Sequence, residues 1–137
     1  MINWNDLGSH VRVQYRVLGS EPHWIGVELA LDAGEVRIKI ERVTAFDSPW
    51  ALVIAAICNE RHIDALAALR HNALIAVGAI IAENERCYLR AALPLSELSV
   101  AALDRTIEFI GRESLKLRRE FAPDPEASKE IFCHFGE

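Results

Sequence analysis

Hydropathy periodicity predicts an α+β fold: an antiparallel sheet of about five strands, crossed by a middle helix and a long C-terminal helix. Three observations carry this. Residues 24–42 alternate apolar and polar side chains on either side of Asp32-Ala33-Gly34, the pattern of a hairpin with one wet face. Residues 74–93 repeat the pattern around Glu83-Asn84-Glu85. Residues 100–121 then switch to spacings of three and four, the period of a helix with one apolar stripe.

The first eighteen residues fit two patterns. Val11, Val13, Tyr15 and Val17 alternate with polar neighbours, and their β-branched content points to a strand over residues 10–18. Gly8 adds weight to that choice, since glycine costs a helix about 1 kcal/mol relative to alanine. Trp4, Leu7, Val11, Tyr15 and Leu18 nevertheless also share one helical face. Gly19-Ser20-Glu21-Pro22 reads as a turn.

In the first hairpin, Ile25, Val27, Leu29 and Leu31 face Val36, Ile38 and Ile40 across the Asp32-Ala33-Gly34 turn. Asp47-Ser48-Pro49 predicts the next turn, because proline fixes φ and turns the residue before it away from the helical region. Residues 50–58 are almost wholly apolar, which predicts an interior strand covered on both faces, with Trp50 in the core; a short buried helix is the rival reading. Asn59 is placed to cap the following helix, whose apolar stripe would be Ile63, Leu66 and Leu69, continuing to Arg70. That helix should stop at His71-Asn72, as asparagine tolerates the left-handed cap.

Strands over residues 74–82 and 86–93 follow, and Gly78 within the first marks a bulge or a close backbone approach. Ser96 or Ser99 caps the last helix, which carries Val100, Leu103, Ile107, Ile110, Leu117 and Phe121 along one face, with Ser114 at the vacant position. Lys116, Arg118 and Arg119 suit the negative end of its dipole, and Pro123 and Pro125 end it. One domain over residues 1–122 is expected, followed by a flexible tail over residues 123–137 in which Ile131, Phe132 and Phe135 offer apolar contacts.

Composition narrows the function. The 137 residues are 51% hydrophobic and 26% charged, which fits a globular domain able to bury a core without metal or disulfides. Fifteen basic residues against twenty acidic ones give a net charge of −5, a field that opposes steering to phosphate and argues against nucleic acid. Cys58, Cys87 and Cys133 are odd in number and form no CxxC pair, so reduced thiols and a cytoplasmic location are expected. The opening residues lack the charged and apolar regions of a signal peptide, and the longest apolar run is about half a membrane helix, so no membrane role is expected.

The segment from Leu66 through Arg70-His71-Asn72, the strand over residues 74–82, Cys87-Tyr88-Leu89-Arg90-Ala91-Ala92-Leu93-Pro94 and the Leu95-Ser96-Glu97-Leu98 turn lead into the last helix. Together they resemble the fold shared by type III secretion chaperones and the YbjN-like bacterial proteins. The family places an asparagine between its middle helix and fourth strand, which Asn72 matches, and a leucine-rich turn before its last helix, which residues 93–98 match. The likeness covers residues 24–121. It implies an opening helix, against the local reading of residues 10–18, and a non-enzymatic, often homodimeric protein. The secretion chaperones bind extended segments of partner proteins, while the YbjN-like branch is linked to stress or regulation.

Catalytic chemistry finds little footing. His10, His23, His62, His71 and His134 show no metal-ligand spacing, and Cys133-His134 sits in the tail. Cys58 and Cys87 lie in strand patterns and read as small buried hydrophobes. Glu28 with Glu41, and Glu83 with Glu85, fall on a wet face or in a turn, where solvation explains them. No catalytic residue, metal or cofactor is assigned. Trp4, Tyr15 and Trp24 are the candidate partner-binding residues, as aromatics beside turns that can anchor an interface. The expected function is a chaperone-like or regulatory protein-binding module acting on a partner protein segment as a homodimer. A small-molecule pocket near His71, Cys87 and Tyr88, and a toxin-neutralising immunity-type protein, are the alternatives.

Overall fold

The computed structural model describes residues 2–122. The predicted tail, with its apolar residues and Cys133-His134, lies outside them. The α+β reading is met by one antiparallel sheet of six strands in the order β1-β2-β3-β4-β6-β5 and by three helices. The strands are β1 (Arg16–Glu21), β2 (Trp24–Leu31), β3 (Gly34–Ala45), β4 (Ser48–Asn59), β5 (Ala79–Glu83) and β6 (Arg86–Pro94). The helices are α1 (Trp4–Gln14), α2 (Ala65–Asn72) and α3 (Val100–Phe121). Among the described residues no helix is long and apolar enough to cross a membrane.

The strand expected over residues 10–18 is corrected to a helix up to Gln14 and a strand from Arg16. Leu7 and Val11 are fully buried, and Gly8 lets the helix lie close to the sheet, its missing Cβ falling 3.4 Å from Ile25 Cδ1. That contact outweighs the propensity cost of glycine, because packing of an amphipathic face contributes more than propensity. Asn3 caps the helix through Asp6 N at 2.8 Å. Leu18 sits in a register shift within β1, so the alternation beyond Gln14 is real but belongs to a different strand span.

α3 lies across β2, β3, β4 and β6. Leu103, Ile107, Ile110 and Leu117 on its face are fully buried against Val36, Ile38, Ile40, Val53 and Leu89 of the sheet. The vacant position of the stripe is no defect: Ser114 is buried and its hydroxyl donates to Gly111 O at 2.9 Å. A Cβ on Gly111 would fall 2.8 Å from Leu29 Cδ2, so glycine sets the distance between helix and sheet. Ser99 supplies the cap, accepting from Ala102 N at 3.1 Å.

β4 runs in the middle of the sheet, but it is covered on one face only. Ala51, Val53, Ala55 and Ile57 are buried beneath α3, whereas Trp50, Leu52, Ile54 and Ala56 are half-exposed on the other face. Trp50 is therefore not core. Its indole N–H donates to Ala45 O at 3.1 Å, and its ring meets Phe46 at 6.4 Å. Pro49 belongs to β4, opposite Thr44, and the turn is Phe46-Asp47, both at positive φ (52° and 58°). Two such residues form the tight turn that matches strand twist.

The middle of the chain departs most from expectation. Asp64, not Asn59, caps α2, accepting from Ala67 N at 3.0 Å. β5 begins at Ala79 rather than at residue 74. Asn72 does not adopt the left-handed cap; its side chain reaches Ile80, accepting from Ile80 N at 2.6 Å and donating to Ile80 O at 3.2 Å. It thus takes the place of a neighbouring strand at the outer edge of β5. Gly78 is the close approach foreseen: its φ is +83°, and a Cβ there would fall 2.7 Å from Arg90 O.

Candidate protein-binding surface

The three aromatics expected to bind a partner each have an internal contact and do not come together. The Trp4 indole N–H donates to Pro22 O at 3.0 Å, fastening the start of α1 to the β1–β2 turn. Trp24 lies on the uncovered sheet face with the Lys39 ammonium 5.7 Å from its ring centroid, a cation–π distance. Lys39 is also held by Glu41 at 3.2 Å. Tyr15 follows α1 and donates its hydroxyl to Asp104 Oδ1 at 2.6 Å.

Asp104 is shared. His10 Nε2 stands 2.8 Å from the same oxygen and 3.1 Å from the other, so one carboxylate of α3 gathers two groups from the N-terminal segment. The cluster borders an open cleft of about 370 Å³ lined by Gln14, Tyr15, Leu29, Leu31, Asp104 and Glu108. Burial first, and then Asp104, raises the Tyr15 hydroxyl above its ordinary value of 10.0, so it is a poor base or nucleophile at neutral pH. The arrangement ties α1 to α3. It is separate from the pocket that the sequence suggested near His71, Cys87 and Tyr88.

Three groups among the described residues hold their protons more tightly in the fold than in the unfolded chain. Burial pushes the Cys58 thiol from 9.0 up to about 12, and Tyr15 and Cys87 are raised likewise. Well below pH 9 both states are neutral at these groups. As pH climbs from there, the unfolded chain ionises first and gains free energy, so stability falls. Melting temperature is therefore expected to drop across the alkaline range, with a shallower slope in Tyr15→Phe and Cys58→Ala. Equal slopes in wild type and both variants would refute the assignment.

Exposed apolar side chains lie elsewhere: Val13, Phe46 and Val100 singly, and four on α2 and the loop after it. None of the residues of α2 is fully buried, although its own Ala68 and the flanking Ile63 and Ile75 pack against the core. Leu66 and Leu69, one helical turn apart, are 52% and 66% exposed, and Leu74 and Val77 continue the surface at 82% and 37%. Of the predicted stripe, Leu66 and Leu69 thus face solvent, whereas Ile63 packs against the core. The body holds α2 by polar and edge contacts: His71 Nε2 is 3.5 Å from Glu113 Oε1, its ring meets Phe121 edge-on at 6.4 Å, and Asn72 grips β5.

Beside α2, the outer edge of the sheet is short and partly closed. Asn72 occupies both main-chain groups of Ile80, which blocks strand addition there. The surface is suited to side-chain docking more than to β-pairing. Phe46, 92% exposed, is a second apolar point at the opposite end of β4. The apolar spacing of Leu66 and Leu69 is legible in the sequence, but the side they face is not. Periodicity shows that a helix has an apolar face and does not say whether the protein itself covers it. Compared with known proteins, the chain matches no family model and no curated sequence.

Proposed function

We propose that this protein is a non-catalytic protein-binding module, chaperone-like or regulatory, that works as a homodimer in the cytoplasm and binds a segment of a partner protein. The observation that carries the reading is the row Leu66, Leu69, Leu74 and Val77, apolar side chains left open to solvent along α2 and the loop after it. A soluble protein that exposes contiguous apolar surface marks a place of contact, since single exposed residues need no explanation but a row does. Burying a leucine of this kind contributes roughly 1.5–3 kcal/mol to association. The likeness to secretion chaperones and YbjN-like proteins supports the same reading.

A second copy fits the row by its charges. In an antiparallel pair of α2 helices, Asp64 at the start of one meets the exposed Arg70 in the last turn of the other, and the two helix dipoles oppose. The partner segment then takes the apolar surface that remains beside the pair.

Light scattering of the whole chain, with the double variant L66D/L69D alongside, tests this. Both residues are exposed in the single chain, so the variant should fold as the wild type does, with the same secondary structure by circular dichroism. The wild type is expected to run as a dimer and the variant as a monomer, with at least a tenfold loss of retained partner in pull-down. A monomeric wild type whose partner retention is untouched by the two aspartates would refute the reading.

A further inference from the structure

We propose that Cys58 and Cys87 form a redox-active dithiol, which closes to a disulfide when a hydroperoxide oxidises the protein. The two residues are far apart in sequence, but β4 and β6 pair them directly across the sheet. The register slips between Ala56 and Cys58, so Ile57 and Cys58 are both buried on the helix side, opposite buried Cys87. Directly opposed residues of an antiparallel pair have Cα atoms about 4.5–5.5 Å apart. That lies within the roughly 4.4–6.8 Å over which a disulfide closes without moving backbone. The two side chains are close enough that Cys87 adds to the rise that burial imposes on the Cys58 thiol.

The order of events follows from how each thiol is covered. Cys87 is the less deeply covered of the two, 4% exposed against 1% for Cys58, and lies nearer a strand start, which makes it the sulfur that peroxide reaches first. Its thiolate attacks one peroxide oxygen and breaks the O–O bond, giving a sulfenic acid and releasing hydroxide. Cys58 then loses its proton to that hydroxide or to water, attacks Sγ of Cys87 and displaces the hydroxyl group. In sum, two thiols and one hydrogen peroxide give one disulfide and two waters; sulfur is oxidised and peroxide oxygen reduced.

Access comes from the position of the pair. Cys58 is one residue from the end of β4, and Cys87 is the second residue of β6, so local opening of the strand ends exposes both without unfolding the sheet. Closure would staple the two ends of the segment that carries α2 and β5. This inference is independent of the binding function proposed above, and its failure leaves that function untouched.

The test is peroxide treatment of the whole wild-type protein, alkylation of remaining thiols, and tryptic mass mapping. Arg61 and Arg86 place the two cysteines in different tryptic peptides, so a cross-link is read directly. The expected product is a joined Cys58–Cys87 pair, two hydrogens lighter, reversed by dithiothreitol and formed faster as pH rises. In Cys58→Ala, Cys87 should instead accumulate as sulfinic acid. Alkylated Cys58 and Cys87 after exhaustive treatment, or over-oxidised Cys87 with no cross-link in the wild type, overturns the proposal. Should the variant fail to fold, the wild-type map decides the matter alone.

Discussion

Gly78→Ala is expected to destabilise the protein by about 3 kcal/mol, lowering the melting temperature by roughly 10 °C. Two costs add. At φ +83° an L side chain is strained by roughly 1–2 kcal/mol, and the new Cβ would fall 2.7 Å from the Arg90 carbonyl oxygen. That neighbour is backbone in the β6 ladder and cannot turn aside as a side chain would. The strain should appear first as detachment of β5, because Gly78 immediately precedes it and Asn72 holds only one residue of its outer edge. Thermal melting and hydrogen exchange would show it together: a lower transition with lost protection in residues 79–83. Unchanged protection there and a melting shift of a degree or less would sink the argument.

Ile107→Ala should cost about 4 kcal/mol, the larger of the two effects. Ile107 is fully buried where α3 crosses the sheet, among Leu103, Ile110 and the strand residues beneath. Truncation loses the transfer free energy of three carbons and leaves a cavity, since the neighbours belong to rigid strands and relax little. Leu66→Ala removes a side chain of the same size from α2 and, in the dissociated chain, should change stability by less than about 0.5 kcal/mol, because Leu66 is there in contact with water. Urea unfolding of the two variants, at a protein concentration that dissociates the dimer, compares them. Similar losses under that condition would mean that the single chain itself covers the Leu66 face.

The pair of leucines on α2 shows where sequence stops informing. Ile63, Leu66 and Leu69 have the spacing of an inward stripe, yet α2 lies at the sheet margin beside short β5 and turns two of them to solvent. Residues 10–18 show a different limit. Their alternation and their helical stripe were both present, and the choice fell to whether Leu7 and Val11 had a surface to bury against. The candidate aromatics Trp4, Tyr15 and Trp24 were legible as side chains able to anchor a partner. Their internal contacts with Pro22, Asp104 and Lys39 lie far away in sequence, so no local pattern announced them.

By itself the sequence determined the class of fold, the first hairpin, the last helix and a bulge or close backbone approach at Gly78. These rest on short-range period and on backbone freedom, both of which are written in neighbouring residues. Only the tertiary structure decided that β4 keeps one face open, that α2 presents its leucines outward, and that Asn72 closes the edge of β5. It alone set Cys58 against Cys87 and drew His10 and Tyr15 to Asp104. Each of these depends on which distant segments meet, and that is settled by the free energy of packing the whole chain.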